Sequence, residues 1–262
     1  MSLRINTNVD AQAAHRYLTQ TSDRVSKSME RLSSGLRINK AADDAAGLGI
    51  SEKMRSQIRG LAQSQRNIQD GVSMVQTAEG NLDEVHSILQ RVRELAVQYK
   101  NGSLSTAGKG AIQSEVDALS SEITRIQGAA QFNGIDLLGS ASAVTFQVGA
   151  NDGQTISITF AAVSVSSYAT LSTLSLSTID SDVDKVSAAR SGFGAVQNRL
   201  EHALAVTGSY QENLTSAESR IRDVDMAEEM VNLTKNQILQ SAGTAMLAQA
   251  NQAPQAVLQL LR

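Results

Sequence analysis

From Phe193 to Ala245 one helical period runs without a skip. Phe193, Val196, Leu200, Ala203, Thr207, Tyr210, Leu214, Ala217, Ile221, Val224, Glu228, Val231, Lys235, Ile238, Ala242 and Ala245 alternate steps of three and four. Residues so spaced share one face of an α-helix. At about 1.5 Å per residue, an uninterrupted helix over this stretch is about 75–80 Å long. A single globule of 262 residues has a radius of gyration of only about 18 Å. The stripe therefore demands an elongated molecule or a partner. Its polar slots, Thr207, Glu228 and Lys235, weaken a pure coiled-coil seam and can set its register.

Three further stripes carry the same period. Near the N-terminus Leu18, Val25 and Leu32 stand seven apart, with Met29 and Leu36 continuing them. Leu61, Ile68, Val72, Val75, Leu82, Leu89, Val92, Ala96 and Tyr99 form the second, with Gln65, Glu79 and His86 in otherwise apolar slots. Its rhythm skips one residue at Leu89–Val92, the mark of a local stammer. Ile112, Val116, Leu119, Ile123 and Ile126 form the third. Between the third and fourth stripes the period changes to two, over Ala143–Val148 and Thr155–Phe160. Those segments flank Asn151-Asp152-Gly153, and Asp-Gly is a strong hairpin signal. Residues 163–179, rich in Ser, Thr, Val and Leu, fit a further strand or a surface loop equally well.

Composition agrees with long helices. The one proline, Pro254, leaves both long ladders intact, and only four Tyr and four Phe are present. A compact enzyme of this size normally buries several large aromatic side chains. The absence of cysteine excludes a disulfide scaffold, a thiolate zinc site and a cysteine nucleophile. A net charge of −3, with 23 basic and 26 acidic residues interspersed, supplies no basic stripe for nucleic acid. No apolar window is long enough for a membrane span, and the first thirty residues lack a cleavable signal pattern. From Asn236 to Leu261 no residue is charged, yet eight Asn and Gln keep the segment polar. Such amides do not suit hydrocarbon, and a solvated helix normally carries charge. Burial against other helices in an assembly fits both facts.

No catalytic constellation emerges, and neither a cofactor nor a metal site is expected. His15, His86 and His202 are scattered, and none begins an HExxH motif. Asp180, Asp182 and Asp184 match the first ligands of an EF-hand loop, but Lys185 occupies the glycine position and Ser191 the bidentate glutamate position. They read instead as charges in the first turn of the fourth helix. Ala45–Ser51 is not GxGxxG, Gly108-Lys109 lacks the following hydroxyl, and no GxSxG occurs. Asp223, Asp225, Glu228 and Glu229 among Arg220 and Arg222 read as salt links. The sequons at Asn101, Asn213 and Asn232 read as incidental.

Several long blocks resemble bacterial flagellins. They are Ile5–Val9, Leu32–Asn39, Ala41–Ser51, Gln90–Gln98 and Phe132–Ile135, then Gly194–Leu200, Ser216–Asp225, Gln249–Gln252 and Val257–Arg262. About twenty residues join Phe160 to the fourth helix, so the resemblance is to a minimal flagellin without variable outer domains. It implies a mainly α fold: an elongated rod of long antiparallel helices with coiled-coil-like packing plus a small β-hairpin region. It implies a D0-like helix and spoke over residues 1–44 and a D1-like rod over 45–219. Within the rod, helices are expected at about 45–100, 105–130 and 182–219, and the hairpin region at about 140–179. A C-terminal D0-like helix is expected over 220–262.

The implied function is structural: self-assembly into the flagellar filament, with no enzymatic activity. The implied assembly residues are Leu18, Val25, Leu32, Ile221, Val224, Val231, Ile238, Ala242, Ala245, Val257, Leu258 and Leu261. Implied partners are further copies, the filament cap and hook-associated proteins, an export chaperone and, for the monomer, Toll-like receptor 5. Gln90, Arg91, Leu95 and Glu115 match the receptor-recognition positions. Export is expected through the flagellar type III route without signal cleavage. A hook–filament junction protein, which shares paired terminal helices, is the nearest alternative, followed by a non-assembling helical binding module.

Overall fold

The computed structural model describes residues 7–160, 162, 164–166, 168, 170–172 and 175–260, with side chains to Gln252. Five helices carry most of them: α1 (Val9–Ser34), α2 (Ala45–Tyr99), α3 (Thr106–Ala129), α4 (Leu176–Arg222) and α5 (Met226–Leu260). Four short strands lie between α3 and α4: β1 (Gln131–Phe132), β2 (Ile135–Asp136), β3 (Ser142–Gln147) and β4 (Thr155–Phe160). The chain divides into two compact units. One holds the described residues up to Arg55 together with those from Leu214 onward; the other is Ser56–Asn213.

In the first unit α1 and α5 pack antiparallel. The Asn8 amide donates to the Ala250 carbonyl at 2.8 Å, and the Arg31 guanidinium meets Glu229 at 3.5 Å at the other end. Asn8 also caps α1 by accepting from the Ala11 N–H. Gly35 ends it with φ 71°, a left-handed conformation that needs no Cβ.

The fourth stripe does not form one helix. Its period continues across residues 222–226, but α4 stops at Arg222 and α5 starts at Met226. The Arg37 N–H donates to the Arg222 carbonyl at 2.6 Å, and the Val224 N–H to the Gly35 carbonyl at 3.0 Å. These bonds make an isolated antiparallel bridge, Leu36↔Asp223. Asp225 Oδ1 then accepts from the N–H groups of Ala227 and Glu228, restarting the helix. Backbone groups freed at the break thus gain partners outside helical geometry. Nearby, Arg222 Nη1 reaches Glu52 at 2.6 Å, which ties the start of α2 to the end of α4.

The second unit holds the larger core. Ile68, Val75, Leu82, Leu89, Val92 and Ala96 of α2 are buried with Ile112, Val116, Ile123 and Ile126 of α3 and Ile179, Val186, Phe193 and Leu200 of α4. The stammer anticipated near Leu89 is absent. The buried face of α2 runs Leu61, Ser64, Ile68, Gly71, Val75, Ala78, Leu82, Val85, Leu89, Val92, Ala96 in unbroken threes and fours. Ser64, Ala78 and Val85 occupy it where Gln65, Glu79 and His86 were expected; small side chains let the partners approach.

The hairpin forms as anticipated, with Ser142 opposite Phe160 and Gln147 opposite Thr155. Its loop is wider than a two-residue turn. The Val148 N–H donates to the Gln154 carbonyl at 2.9 Å, the Gln147 amide donates to the carbonyls of Gly149 and Asn151, and Gly153 takes φ 81°. Ile158 and Phe160 point into the core, where the Phe160 and Phe193 rings lie 5.4 Å apart. Asn133-Gly134, both at positive φ, turn a second small ladder between β1 and β2.

Residues 163–179 contain no strand among the described residues, and α4 already begins at Leu176. The aspartates therefore lie past its first turn, which Ser175 caps by accepting from the Ser177 N–H. Asp180 instead pairs with Arg93 across to α2 at 2.6 Å. Asp182, only 1% exposed, accepts from the Tyr168 hydroxyl and the Ser166 N–H, each at 2.8 Å. Lys185 completes its shell at 2.8 Å. Burial alone would raise the Asp182 pKa, yet it lies below the ordinary value because Lys185, Ser166 and Tyr168 all favour the carboxylate. Asp182 thus fastens the connecting loop onto α4.

Candidate assembly and recognition surfaces

The chemistry of this molecule lies in its surfaces. Among the described residues no three His, Cys, Asp or Glu side chains gather as a metal site. No described helix is long and apolar enough to cross a membrane.

The α1·α5 seam is built from small and mid-sized side chains. On α1, Leu18, Val25 and Leu32 are half-buried and Ser28 is buried. Met29, placed on the same stripe by spacing, is exposed instead. On α5 the covered positions are Glu229, Leu233, Asn236, Gln240, Gly243, Leu247 and Ala250. They repeat in threes and fours, in antiparallel register with α1. Gly243 is central to it: a Cβ there would stand 3.4 Å from Leu18 Cδ1.

The C-terminal stripe read from sequence lies on the other side. Val231 is 68% exposed and Ile238 64%, and Ala242 and Ala245 are exposed with them. At about 100° per residue this stripe is centred roughly 150° around the helix from the seam. Met230, Val231, Thr234, Lys235, Ile238 and Leu239 line an open groove of about 500 Å³ there. Helix α5 consequently has two usable faces, one taken by α1 and one presented outward. Ile221 and Val224, at the helix break, are half-buried. The side chains of Val257 and Leu258, and Leu261 altogether, lie outside the described residues.

The expected recognition residues separate by exposure. Arg91 on α2 reaches Glu115 on α3 through Nη2 at 2.9 Å and Nε at 3.1 Å. It also meets Glu94, one turn on, at 3.2 Å. These partners, Glu115 first, hold the guanidinium proton more firmly than usual. Gln90 is exposed beside His86, Nε2 to Nε2 at 2.9 Å. Leu95 is different: only 2% of its surface is accessible, and it belongs to the core. A partner meeting this patch encounters Gln90, Arg91 and Glu115, with Leu95 behind them in the packing. Position along the helix gave no sign of this, because a leucine at the edge of a stripe suits either side.

Comparison with known proteins places these surfaces in a family. The family model for the bacterial flagellin N-terminal helical region matches residues 5–143, and that for the C-terminal helical region matches 176–261. Flagellin of Halalkalibacterium halodurans is 52% identical, the match covering 98% of this chain and 99% of that protein. Flagellin of Bacillus subtilis is 45% identical over 99% of this chain and 100% of its own. Among solved structures, crystalline Bacillus cereus flagellin is similar at TM-score 0.50 and 27% identity, covering 54% of this chain and 88% of that one.

Proposed function

The chain belongs to the bacterial flagellin family, and on that footing we propose that its assembly buries the outward face of α5. It is a structural subunit that self-assembles into the flagellar filament, and it is not an enzyme. Its working place is the extracellular filament.

The observation that carries the assembly reading is the exposed apolar face of α5, set in a stretch without charge from Asn236 to Leu261. A face this apolar and this large normally marks an interaction site. A contact of one surface with a different surface of the next copy does not close, and so propagates as a helix. In this reading Ile221, Val224, Val231, Ile238, Ala242, Ala245, Val257, Leu258 and Leu261 serve contacts between copies, while Leu18, Val25 and Leu32 hold α1 to α5. Residues 1–44 and 220–262 form the inner part of the subunit and 45–219 the rod. Removing residues 236–262 should abolish filaments seen by electron microscopy while leaving a soluble helical fragment; persisting filaments overturn the reading.

We infer partners beyond further copies from the resemblance to flagellins. The filament cap and hook-associated proteins meet the same terminal helices, an export chaperone covers their apolar faces before assembly, and export runs through the flagellar type III route. For the monomer we infer recognition by Toll-like receptor 5 through Gln90, Arg91 and Glu115, with Leu95 supporting them from the core. The exposed Arg91–Glu115 pair supports this, since both groups present charge-assisted hydrogen bonding at the surface. Arg91→Ala monomer should signal more weakly than wild type in a receptor reporter assay; equal signalling refutes the assignment.

A further inference from the structure

Sulfur chemistry divides this molecule in two. The chain has seven methionines but no cysteine and no tryptophan, so its thioethers are the side chains a mild peroxide attacks. Met74 is buried in the core at 1% exposure. Met29, Met226, Met230 and Met246 are 50–64% exposed, all four on α1 and α5. Met230 lines the outward groove with Val231, Ile238 and Leu239. Met246 stands seven residues beyond Leu239, on the same side of the helix. Met230 and Met246 thus flank the outward stripe assigned to contacts between copies, one on each side of Ile238.

We propose that Met230 and Met246 form a reversible oxidation switch on assembly: hydrogen peroxide converts their thioethers to sulfoxides in the free subunit, and the oxidised subunit no longer enters the filament. The proposal rests on the reading that assembly buries the outward face of α5. In the step itself the sulfur lone pair attacks one peroxide oxygen. An S–O bond forms, the O–O bond breaks, and the second oxygen leaves as water with both protons. Sulfur loses two electrons and peroxide gains them.

The product is a polar sulfoxide with a strong acceptor oxygen where a flexible apolar side chain stood. Met246 has no charged residue between Lys235 and Arg262, so its sulfoxide enters an apolar contact without an ionic donor, which is costly. The reaction is reversible by methionine sulfoxide reductases, so an oxidised subunit is recoverable. Burial within a filament also shields the sulfurs, which makes assembled and free subunits unequal targets.

The test uses the full chain. Monomer is treated with hydrogen peroxide, mapped by peptide mass spectrometry, and assayed for critical concentration by sedimentation before and after incubation with methionine sulfoxide reductases. Sulfoxide should form at Met230 and Met246 but not at Met74. The critical concentration should rise tenfold or more and recover after reduction. The double variant Met230→Leu, Met246→Leu, compared with itself before and after peroxide, should change less than threefold whatever its starting value. In preformed filaments both methionines should oxidise at least tenfold more slowly than in monomer. Unchanged assembly of sulfoxide-bearing monomer, equal oxidation in filament and monomer, or an equal loss in the leucine variant each overturns the proposal. If untreated chain forms no filaments at all, the assembly reading itself falls first.

Discussion

Replacing Ile238 by Asp separates the two faces of α5 in a single experiment. Ile238 is 64% exposed, so the folded monomer has little to lose: about 0.5 kcal/mol from lower helix propensity and surface effects. Full burial of such a side chain contributes about 1.5–3 kcal/mol, and about two-thirds of that, 1–2 kcal/mol, is still available when a neighbouring copy covers it. The aspartate forfeits this gain and brings a charge into an apolar contact, an added penalty of several kcal/mol. A combined loss of about 3 kcal/mol or more raises the critical concentration at least about a hundredfold. Leu233→Ala is the counterpart on the opposite face. Leu233 is buried, and its truncation should cost about 2–5 kcal/mol of monomer stability. Denaturant unfolding followed by circular dichroism reads the first quantity, and sedimentation reads the second. Ile238→Asp filaments forming at the wild-type concentration would refute the outward-face assignment. Equal destabilisation of the monomer by both substitutions would mean that α5 is rotated about its axis relative to the seam described above. Ala242→Asp and Ala245→Asp, on the same exposed face, should behave as Ile238→Asp does.

Two further outcomes test the packing inside each unit. Asp182→Ala removes the acceptor of the buried Tyr168 hydroxyl and the Ser166 N–H; at about 1–3 kcal/mol for each of the two stranded donors, unfolding should show a loss of about 2–6 kcal/mol at neutral pH. Because the folded Asp182 carboxyl lies below its ordinary 3.8, its contribution is complete above that pH and fades as pH falls further through the folded value. The gap between wild type and Asp182→Asn should therefore narrow only below about pH 4, and a gap that narrows between pH 6 and 8 contradicts the assignment. Gly243→Ala should stabilise the α1·α5 pair by about 0.5–1 kcal/mol, since a mid-helix glycine is replaced. The new Cβ meets Leu18 Cδ1 at an ordinary 3.4 Å, so a lowered melting temperature would show the seam to be tighter than described.

The sequence by itself determined that this chain is helical, where the hairpin lies, and that its ends need company. Those properties rest on local rules: a repeat of three and four, a shift to period two around Asp152-Gly153, and proline confined to position 254. They also rest on blocks long enough to identify the family. Three things depended on tertiary structure. The break at Arg222–Met226 was invisible to periodicity because the apolar period runs straight through it, and only the resemblance implied a boundary near 219–220; the bridge to Gly35–Arg37 and the Asp225 cap made the interruption favourable. Asp182 looked like one of three charges in the first turn of the fourth helix until the loop bearing Ser166 and Tyr168 closed over it. The orientation of α5 was undetermined for a physical reason. A helix without charged residues over most of its length has no face that water claims, so both of its stripes satisfy the same pattern. Only the fit against α1, with Leu18 lying over Gly243, selected the inner stripe and left Val231, Ile238 and Met246 facing outward.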